Sequence, residues 1–325
     1  MPFVIGLDIG GTHFRLSTVD EWGHHDRIEK FSSESRLGPQ NMIDRLAEHI
    51  FDTVRGEDRG PIVGIGIGIA GAIDHINGIV RFSPNLPGWD YVPLAEILSK
   101  KLGLPVFVDN DVNLIALGEK WLGAGRDYEN FLCMTLGTGV GGGLILNHKI
   151  WHGCGTAGEI GHMTIDPDGA LCNCGNNGCL ETLASATALL RMAFEGFREG
   201  RTGLLAQKIS ADPGSLSASL IAEMAEKGDI WARQLFEKLG ESLGIAIANV
   251  MNLLCLDAII IGGGISDAWH LFIKALKAEY GRRVMPGTKP EVPTIPWRLK
   301  DAAGIIGAAA AVFQQNATDC NRSAF

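Results

Sequence analysis

Phe3-Val-Ile-Gly-Leu-Asp8-Ile-Gly10-Gly11-Thr12-His-Phe-Arg-Leu-Ser-Thr-Val19 sets an apolar run, a glycine turn and a second strand-forming run in succession, the pattern of a β-hairpin. The same layout returns in Asn130-Phe-Leu-Cys-Met-Thr-Leu-Gly137-Thr138-Gly139-Val-Gly-Gly-Gly-Leu144-Ile-Leu146. Two halves that each open on a glycine-tipped hairpin imply a duplicated α/β unit with a cleft between the copies. Short apolar runs predict further strands at Ile62–Ile69, Pro105–Val108 and Ala258–Ile261. Helical periodicity covers Pro39–Val54, Leu94–Leu102, Val112–Trp121, Glu181–Glu195, Leu216–Glu226, Ile230–Leu254, Ala268–Tyr280 and the Ala-rich Ala303–Gln315. Strands alternating with helices give an α/β class. At roughly 100–200 residues per domain, 325 residues predict two domains. The expected break lies near Leu114–Glu119. It gives a small domain of 1–115 plus 303–325, with the last helix packed back onto it, and a large domain of 116–302.

Composition removes several function classes. Hydrophobic residues are 46% and charged residues 20%, enough apolar content for two cores and unlike a disordered chain. Acidic residues outnumber basic ones 37 to 28 for a net charge of −9, with no basic cluster, which argues against a nucleic-acid partner. The longest apolar stretches, Val63–Ile73 and Ala302–Phe313, fall far short of the roughly 20 residues that span a bilayer, so no membrane association is expected. The start, Met-Pro-Phe-Val-Ile-Gly, has no basic region or cleavage site of a signal peptide. Seven cysteines, three of them within eight residues, suit a reducing cytosol and a metal better than a disulfide framework.

Glycine at the hairpin tips lets backbone N–H groups approach an anion with no Cβ in the way. In Asp8-Ile-Gly10-Gly11-Thr12 the Thr12 hydroxyl adds a donor, and Asp8 at the strand end suits a hydrated Mg²⁺. An ordinary tight turn needs only one or two of these glycines. Gly137-Thr138-Gly139-Val-Gly-Gly-Gly fits G-x-G-x-x-G, yet a strand follows it where the dinucleotide fingerprint requires a helix. It reads instead as a second phosphate hairpin. Gly262-Gly263-Gly264, after Ile259–Ile261, either admits a flat ring against bare backbone or simply turns the chain into a helix.

Asp109-Asn110-Asp111-Val-Asn113 ends a strand with two carboxylates and two amides, which suit a polyol; one carboxylate can take a hydroxyl proton. A helix cap accounts for one of these residues but not for four. His162, Cys172, Cys174 and Cys179 form a Cys₃His set of structural-zinc type; an iron–sulfur cluster normally asks for four cysteines. Zinc there would brace the segments bearing Glu159 and Glu181, two acceptors for sugar hydroxyls, and leave one His162 nitrogen facing outward. Solvated surface glutamates are the plainer alternative. His13, His24, His25, His49, His75, His148, His152 and His270 read as surface or loop residues, and Cys133, Cys154, Cys255 and Cys320 as core or tail.

Taken together these segments resemble the ROK family of bacterial sugar kinases, within the actin-like ATPase (ribonuclease H-like) fold. Asp8–Thr12 resembles its first phosphate motif. Leu136–Gly153 with Gly158-Glu-Ile-Gly-His162 resembles its signature, Cys172–Glu181 its zinc loop, and Ile261–Gly264 its adenosine motif. The resemblance implies nucleotide contacts at Asp8, Gly10, Gly11, Thr12, Gly137, Thr138, Gly139 and Gly262–Gly264. It implies Asp111 as catalytic base and Gly71, Asn85, Asn110, Glu159, His162 and Glu181 as sugar contacts. Where the family often has Glu-Asn-Asp, this chain has Asp109-Asn110-Asp111. The implied activity is transfer of phosphate from MgATP to the 6-hydroxyl of D-glucose at the head of glycolysis, with one structural Zn²⁺, in a cytoplasmic homodimer or homotetramer. Mannose, fructose, allose or an N-acetylhexosamine as acceptor, and polyphosphate as donor, stay open. The family also holds repressors with an N-terminal helix-turn-helix. A first strand beginning at about Phe3 leaves no room for one, and the intact aspartate and zinc set also favour an active enzyme; a catalytically silent sugar-sensing regulator is the competing expectation of a different class.

Overall fold

The structure, a computed structural model, describes residues 1–55, 60–288 and 291–322, the last six as backbone only. Residues 323–325 of the expected 303–325 segment, and the Cys320 side chain, lie outside the described residues. In chain order the first elements are β1 (Phe3–Ile9), β2 (His13–Asp20), β3 (Glu29–Ser32), α1 (Pro39–Arg55), β4 (Ile62–Ile69), β5 (Ala72–Asp74), β6 (Ile79–Phe82), β7 (Asp90–Val92), α2 (Leu94–Leu102), β8 (Val106–Asn110) and α3 (Asp111–Trp121). There follow β9 (Phe131–Leu136), β10 (Val140–Leu146), β11 (Lys149–Ile150), α4 (Glu181–Ala184), α5 (Ala186–Arg198), α6 (Leu204–Ala211) and α7 (Ala218–Glu226). The chain closes with α8 (Ile230–Leu254), β12 (Ala258–Gly262), α9 (Trp269–Arg283), β13 (Thr294–Pro296) and α10 (Ala303–Arg322).

The chain divides into two compact units: Met1–Asn130 with Gly143–Gly158 and Trp297–Phe325, and Phe131–Gly142 with Glu159–Pro296. A break near 115/116 would have cut α3, a continuous helix that packs on α10, so the first unit keeps it whole. One five-stranded sheet runs β3-β2-β1-β4-β8 and another β11-β10-β9-β12-β13. In the first, β1 is antiparallel to β2 and parallel to β4. In the second, β12 is parallel to both β9 and β13. Each sheet thus sets a glycine-tipped hairpin beside parallel strands, the same layout twice.

In the first unit, β4 reads Ile-Val-Gly-Ile-Gly-Ile-Gly-Ile, and period-two alternation puts isoleucines on one face and glycines on the other. Ile65, Ile67 and Ile69 are fully buried against Met42, Leu46 and Ile50 of α1 and Leu94 and Leu98 of α2. The glycine face receives α10 at backbone distance. A Cβ on Gly66 would meet the Ala308 carbonyl oxygen at 2.2 Å, and one on Gly6 that of Ile305 at 2.4 Å. α10 in turn presses on α3: a Cβ on Gly307 would lie 1.7 Å from the Leu114 carbonyl oxygen.

Two expectations change, and one sheet was not expected. The helix expected over Glu181–Glu195 breaks at Ser185, whose hydroxyl accepts from Ala188 N at 3.0 Å and restarts the chain as α5. The helix expected from Leu216 begins at Ala218, capped by Ser217. A small antiparallel sheet, β5-β6-β7, has strands of three or four residues, too short to carry a readable period. Gly307→Ala is expected to lower stability by about 1–3 kcal/mol through overpacking. Gly281→Ala, at a position of α9 where a Cβ meets nothing within 4 Å, is expected to raise it by up to about 1 kcal/mol. Urea unfolding of the two variants checks the pair.

Candidate active site and metal centre

In the first unit the β1–β2 turn closes with Gly10 N donating to the His13 carbonyl at 2.9 Å. The Ser33 and Ser35 hydroxyls donate to the Gly10 and Gly11 carbonyls, each at 2.7 Å, and hold the tip from behind. Neither serine carries a motif, so sequence reading missed both. Gly11 lies against the backbone of Asn85, where a Cβ would meet its carbonyl oxygen at 2.9 Å. Gly71 has φ +132° and lies against the Phe82 carbonyl. Its own carbonyl accepts from Asn110 Nδ2 at 3.2 Å. Gly11, Gly71, Asn85 and Asn110 therefore sit in one contiguous patch.

Asn110 caps α3, its Oδ1 accepting from Val112 N at 2.9 Å and Asn113 N at 3.2 Å. Asp111 is the first residue of that helix, half-buried, with Oδ1 accepting from Val112 N at 3.0 Å. A helix N-terminus stabilises negative charge, the state a general base needs. Asp8, at the end of β1, has Arg15 Nη1 at 3.5 Å, and Arg15 also faces Asp301. Burial pushes the Asp8 carboxyl up from its ordinary range, opposed by Arg15 and reinforced by Asp301. A single such carboxylate fits a hydrated Mg²⁺ that draws its other ligands from water and phosphate; it does not make a protein cage.

In the second unit the β9–β10 tip closes with Gly137 N donating to the Gly139 carbonyl at 3.0 Å. The start of α5 holds it: Ala186 N donates to the Gly137 carbonyl and Thr187 Oγ1 to the Thr138 carbonyl, each at 2.8 Å. Gly263, at φ +86°, passes against Leu136 just before this tip, which brings Gly262–Gly264 beside Gly137–Gly139. Glu181 Oε2 accepts from Val140 N at 3.1 Å and occupies the space that a Gly139 Cβ would fill. Its Oε1 lies 4.0 Å from Cys172 Sγ, so one carboxylate joins the glycine tip to the cysteine cluster.

His162, Cys172, Cys174 and Cys179 bring one ligand atom each to within 4.8 Å of the others. Cys172 Sγ lies 3.7 Å from His162 Nδ1, and Cys174 Sγ 3.6 Å from Cys179 Sγ. Tetrahedral zinc with bonds of about 2.3 Å to sulfur requires edges of about 3.8 Å, so the set fits. Burial pushes the Cys179 thiol up to about 12 and raises Cys172, while the Asn176 amide draws Cys174 down. Nδ1 faces the cluster, which leaves His162 Nε2 toward Glu159 Oε2 at 3.9 Å. Burial raises the Glu159 carboxyl; His162 opposes the shift and Glu181 adds to it.

Other expectations are corrected. His152 lies in a loop, as expected, but is half-buried there: its ring stacks on His75 and bonds to Asp109. His49 stacks on Phe31. Cys133 is core, but Cys154 and Cys255 are exposed and lie outside both core and tail. Cys255 caps α8 in the left-handed region.

Residues 4–315 match the ROK family. Over 312 residues the chain is 38% identical to a glucokinase of Thermotoga maritima, covering 95% of this chain and 96% of that one. It is 31% identical over 312 residues to a xylose repressor of Caldicellulosiruptor bescii, covering 95% of this chain and 77% of the repressor. Among solved structures, a ROK family glucokinase of Streptomyces griseus in complex with glucose and AMPPNP aligns with a TM-score of 0.81 and 33% identity, over 96% of this chain and 99% of that one. The chain belongs to the ROK family. Its fold is the actin-like ATPase fold.

Cys174→Ser is expected to lower bound zinc and weaken hexose binding together, as read by metal analysis and calorimetry. Gly139→Ala displaces the Glu181 carboxylate and removes the acceptor of Val140 N. It is expected to weaken hexose binding about tenfold or more with zinc retained.

Proposed function

We propose that this chain is an ATP-dependent hexose kinase that phosphorylates the 6-hydroxyl of D-glucose. The full-length likeness to glucokinases supports the reaction and the sugar. The observation in this chain that carries the reading is Asp111. It stands at the N-terminus of α3, next to an asparagine whose amide is already committed to Gly71. In the proposed step the 6-hydroxyl proton passes to Asp111 as the oxygen bonds the γ-phosphorus. The bond from that phosphorus to the β–γ bridging oxygen breaks, and ADP leaves. Gly71, Asn85, Asn110, Glu159, His162 and Glu181 would hold sugar hydroxyls. The backbone amides of Gly10–Thr12 and Gly137–Gly139 would stabilise charge on the phosphates, and the Gly262–Gly264 turn would receive the adenosine. Such catalysis rests on positioning and electrostatics more than on covalent chemistry.

Magnesium, when bound at Asp8, would offset phosphate charge. Zinc in the His162, Cys172, Cys174 and Cys179 set has no open position for water, so its part is to stiffen the loop that carries Glu159 and Glu181. We place the protein in the cytosol as a homodimer or homotetramer. Six free cysteines among the described residues, and no helix there long and apolar enough to cross a membrane, are consistent with that placement.

A coupled ADP assay over glucose, mannose, fructose, allose and N-acetylglucosamine is expected to give the highest kcat/KM for glucose. Sugar binding with no ADP release would favour the sensor reading. Asp111→Ala is expected to lower kcat by about 10²–10⁴-fold with an unchanged Tm.

A further inference from the structure

Asp109 opens the turn that carries Asp111, and it is 9% exposed. Its Oδ1 accepts from Asn110 N at 2.7 Å and from Asn113 Nδ2 at 3.1 Å. Its Oδ2 faces His152 Nε2 at 2.7 Å. A carboxylate only accepts, so His152 holds its proton on Nε2 and donates it. His152 lies 43 residues further along the chain, just beyond β11. Its ring is stacked flat on His75, from the turn after β5, with centroids 3.5 Å apart and planes 6° apart.

These contacts bind the base's turn from both sides. Asn110 precedes Asp111, and its N–H belongs to Asp109. Asn113 follows, and its amide belongs to the same oxygen. Both asparagines also take part in the cap, where Asn110 Oδ1 accepts from Asn113 N. The far oxygen of Asp109 keeps its place only while His152 satisfies it. A buried carboxylate oxygen left unpaired carries a heavy desolvation cost and relaxes toward another donor. Rotation of that carboxylate would pull Asn110 N and Asn113 Nδ2 with it, and Asp111 would swing. Displacement of a reacting group by about 1 Å can cost on the order of 10²-fold in rate.

We propose that His152 is a positioning residue for the phosphoryl transfer: through Asp109 it sets the Asn110–Asn113 turn that presents Asp111, and His75 fixes the plane of its ring. The proposal rests on Asp111 being the general base. Asp109 stands where the family often carries glutamate, and on this account its shorter side chain is matched to the reach of His152.

Steady-state kinetics and Tm of the full chain carrying His152→Leu, His152→Asn or His152→Gln test it. Glutamine can place an amide N–H near the position of Nε2; asparagine falls short, and leucine has no donor. His152→Leu and His152→Asn are expected to lower kcat about tenfold or more, with KM for MgATP within about twofold, and His152→Gln to recover most of that loss. His75→Ala is expected to act in the same direction and more weakly, and His75→Phe to preserve kcat. Should His152→Leu not fold, the asparagine and glutamine variants alone decide. Full kcat in His152→Asn overturns the proposal. So does a loss of kcat that glutamine does not repair, which marks a bulk packing role. Asp111→Ala assayed beside them separates the two readings. If it turns over like the parent, the base assignment fails; if it is inactive while His152→Asn is not, only the positioning role fails.

Discussion

A loop of glycines can bring its amides close to an anion, but it supplies no stiffness of its own, and a slack loop binds weakly. In both hairpins the stiffness comes from outside the motif. The Ser33 and Ser35 hydroxyls clamp the Gly10–Gly11 carbonyls. Ala186 N, Thr187 Oγ1 and the Glu181 carboxylate clamp Gly137–Val140. The second clamp reaches further, because Glu181 sits two residues past Cys179 and touches Cys172. The cysteine loop thereby supports the glycine turn at Gly137–Val140, and rigidity imposed on one is felt by the other.

The first unit reaches its rigidity by a different route. Glycines on one face of β4 and in β1 let α10 seat its backbone on the sheet, and Gly307 lets the same helix close on α3. Cα–H and carbonyl groups meet there at distances that side chains would forbid, so the packing has little freedom to adjust. The helix that begins at Asp111 is thus fixed along its length by α10. At its start it is fixed by the Asp109, Asn110 and Asn113 hydrogen bonds.

Much of this was legible in the residues. The paired hairpins, the buried strand Ile62–Ile69 and the helix Leu94–Leu102 fall at the expected positions because each is long, periodic and bounded by glycine or proline. The Cys₃His set was legible because three thiols and an imidazole at short spacing have few other uses. The glycine alternation in β4 also carried a signal, since glycine on alternate positions of a buried strand means a backbone on that side. What stayed hidden depends on distance along the chain. Nothing local joins His152 to Asp109, or Ser33 to Gly10 across the β-sheet. His152 sits in a glycine-rich loop that reads as surface until β11 turns it inward. The break at Ser185 was hidden for the opposite reason: a serine is tolerated inside a helix, and only the tertiary tie of Ala186 N to Gly137 makes it a cap instead.

The account's central claim is that a phosphoryl group is transferred to a single sugar hydroxyl opposite Asp111. ³¹P and ¹³C NMR of the product formed from uniformly ¹³C-labelled glucose and MgATP tests it most directly. The expected result is one new phosphorus resonance, coupled over two bonds to C6 and over three to C5, growing in step with ADP. A phosphorus coupled to C1, C2, C3 or C4, or inorganic phosphate appearing with no sugar phosphate, would contradict it.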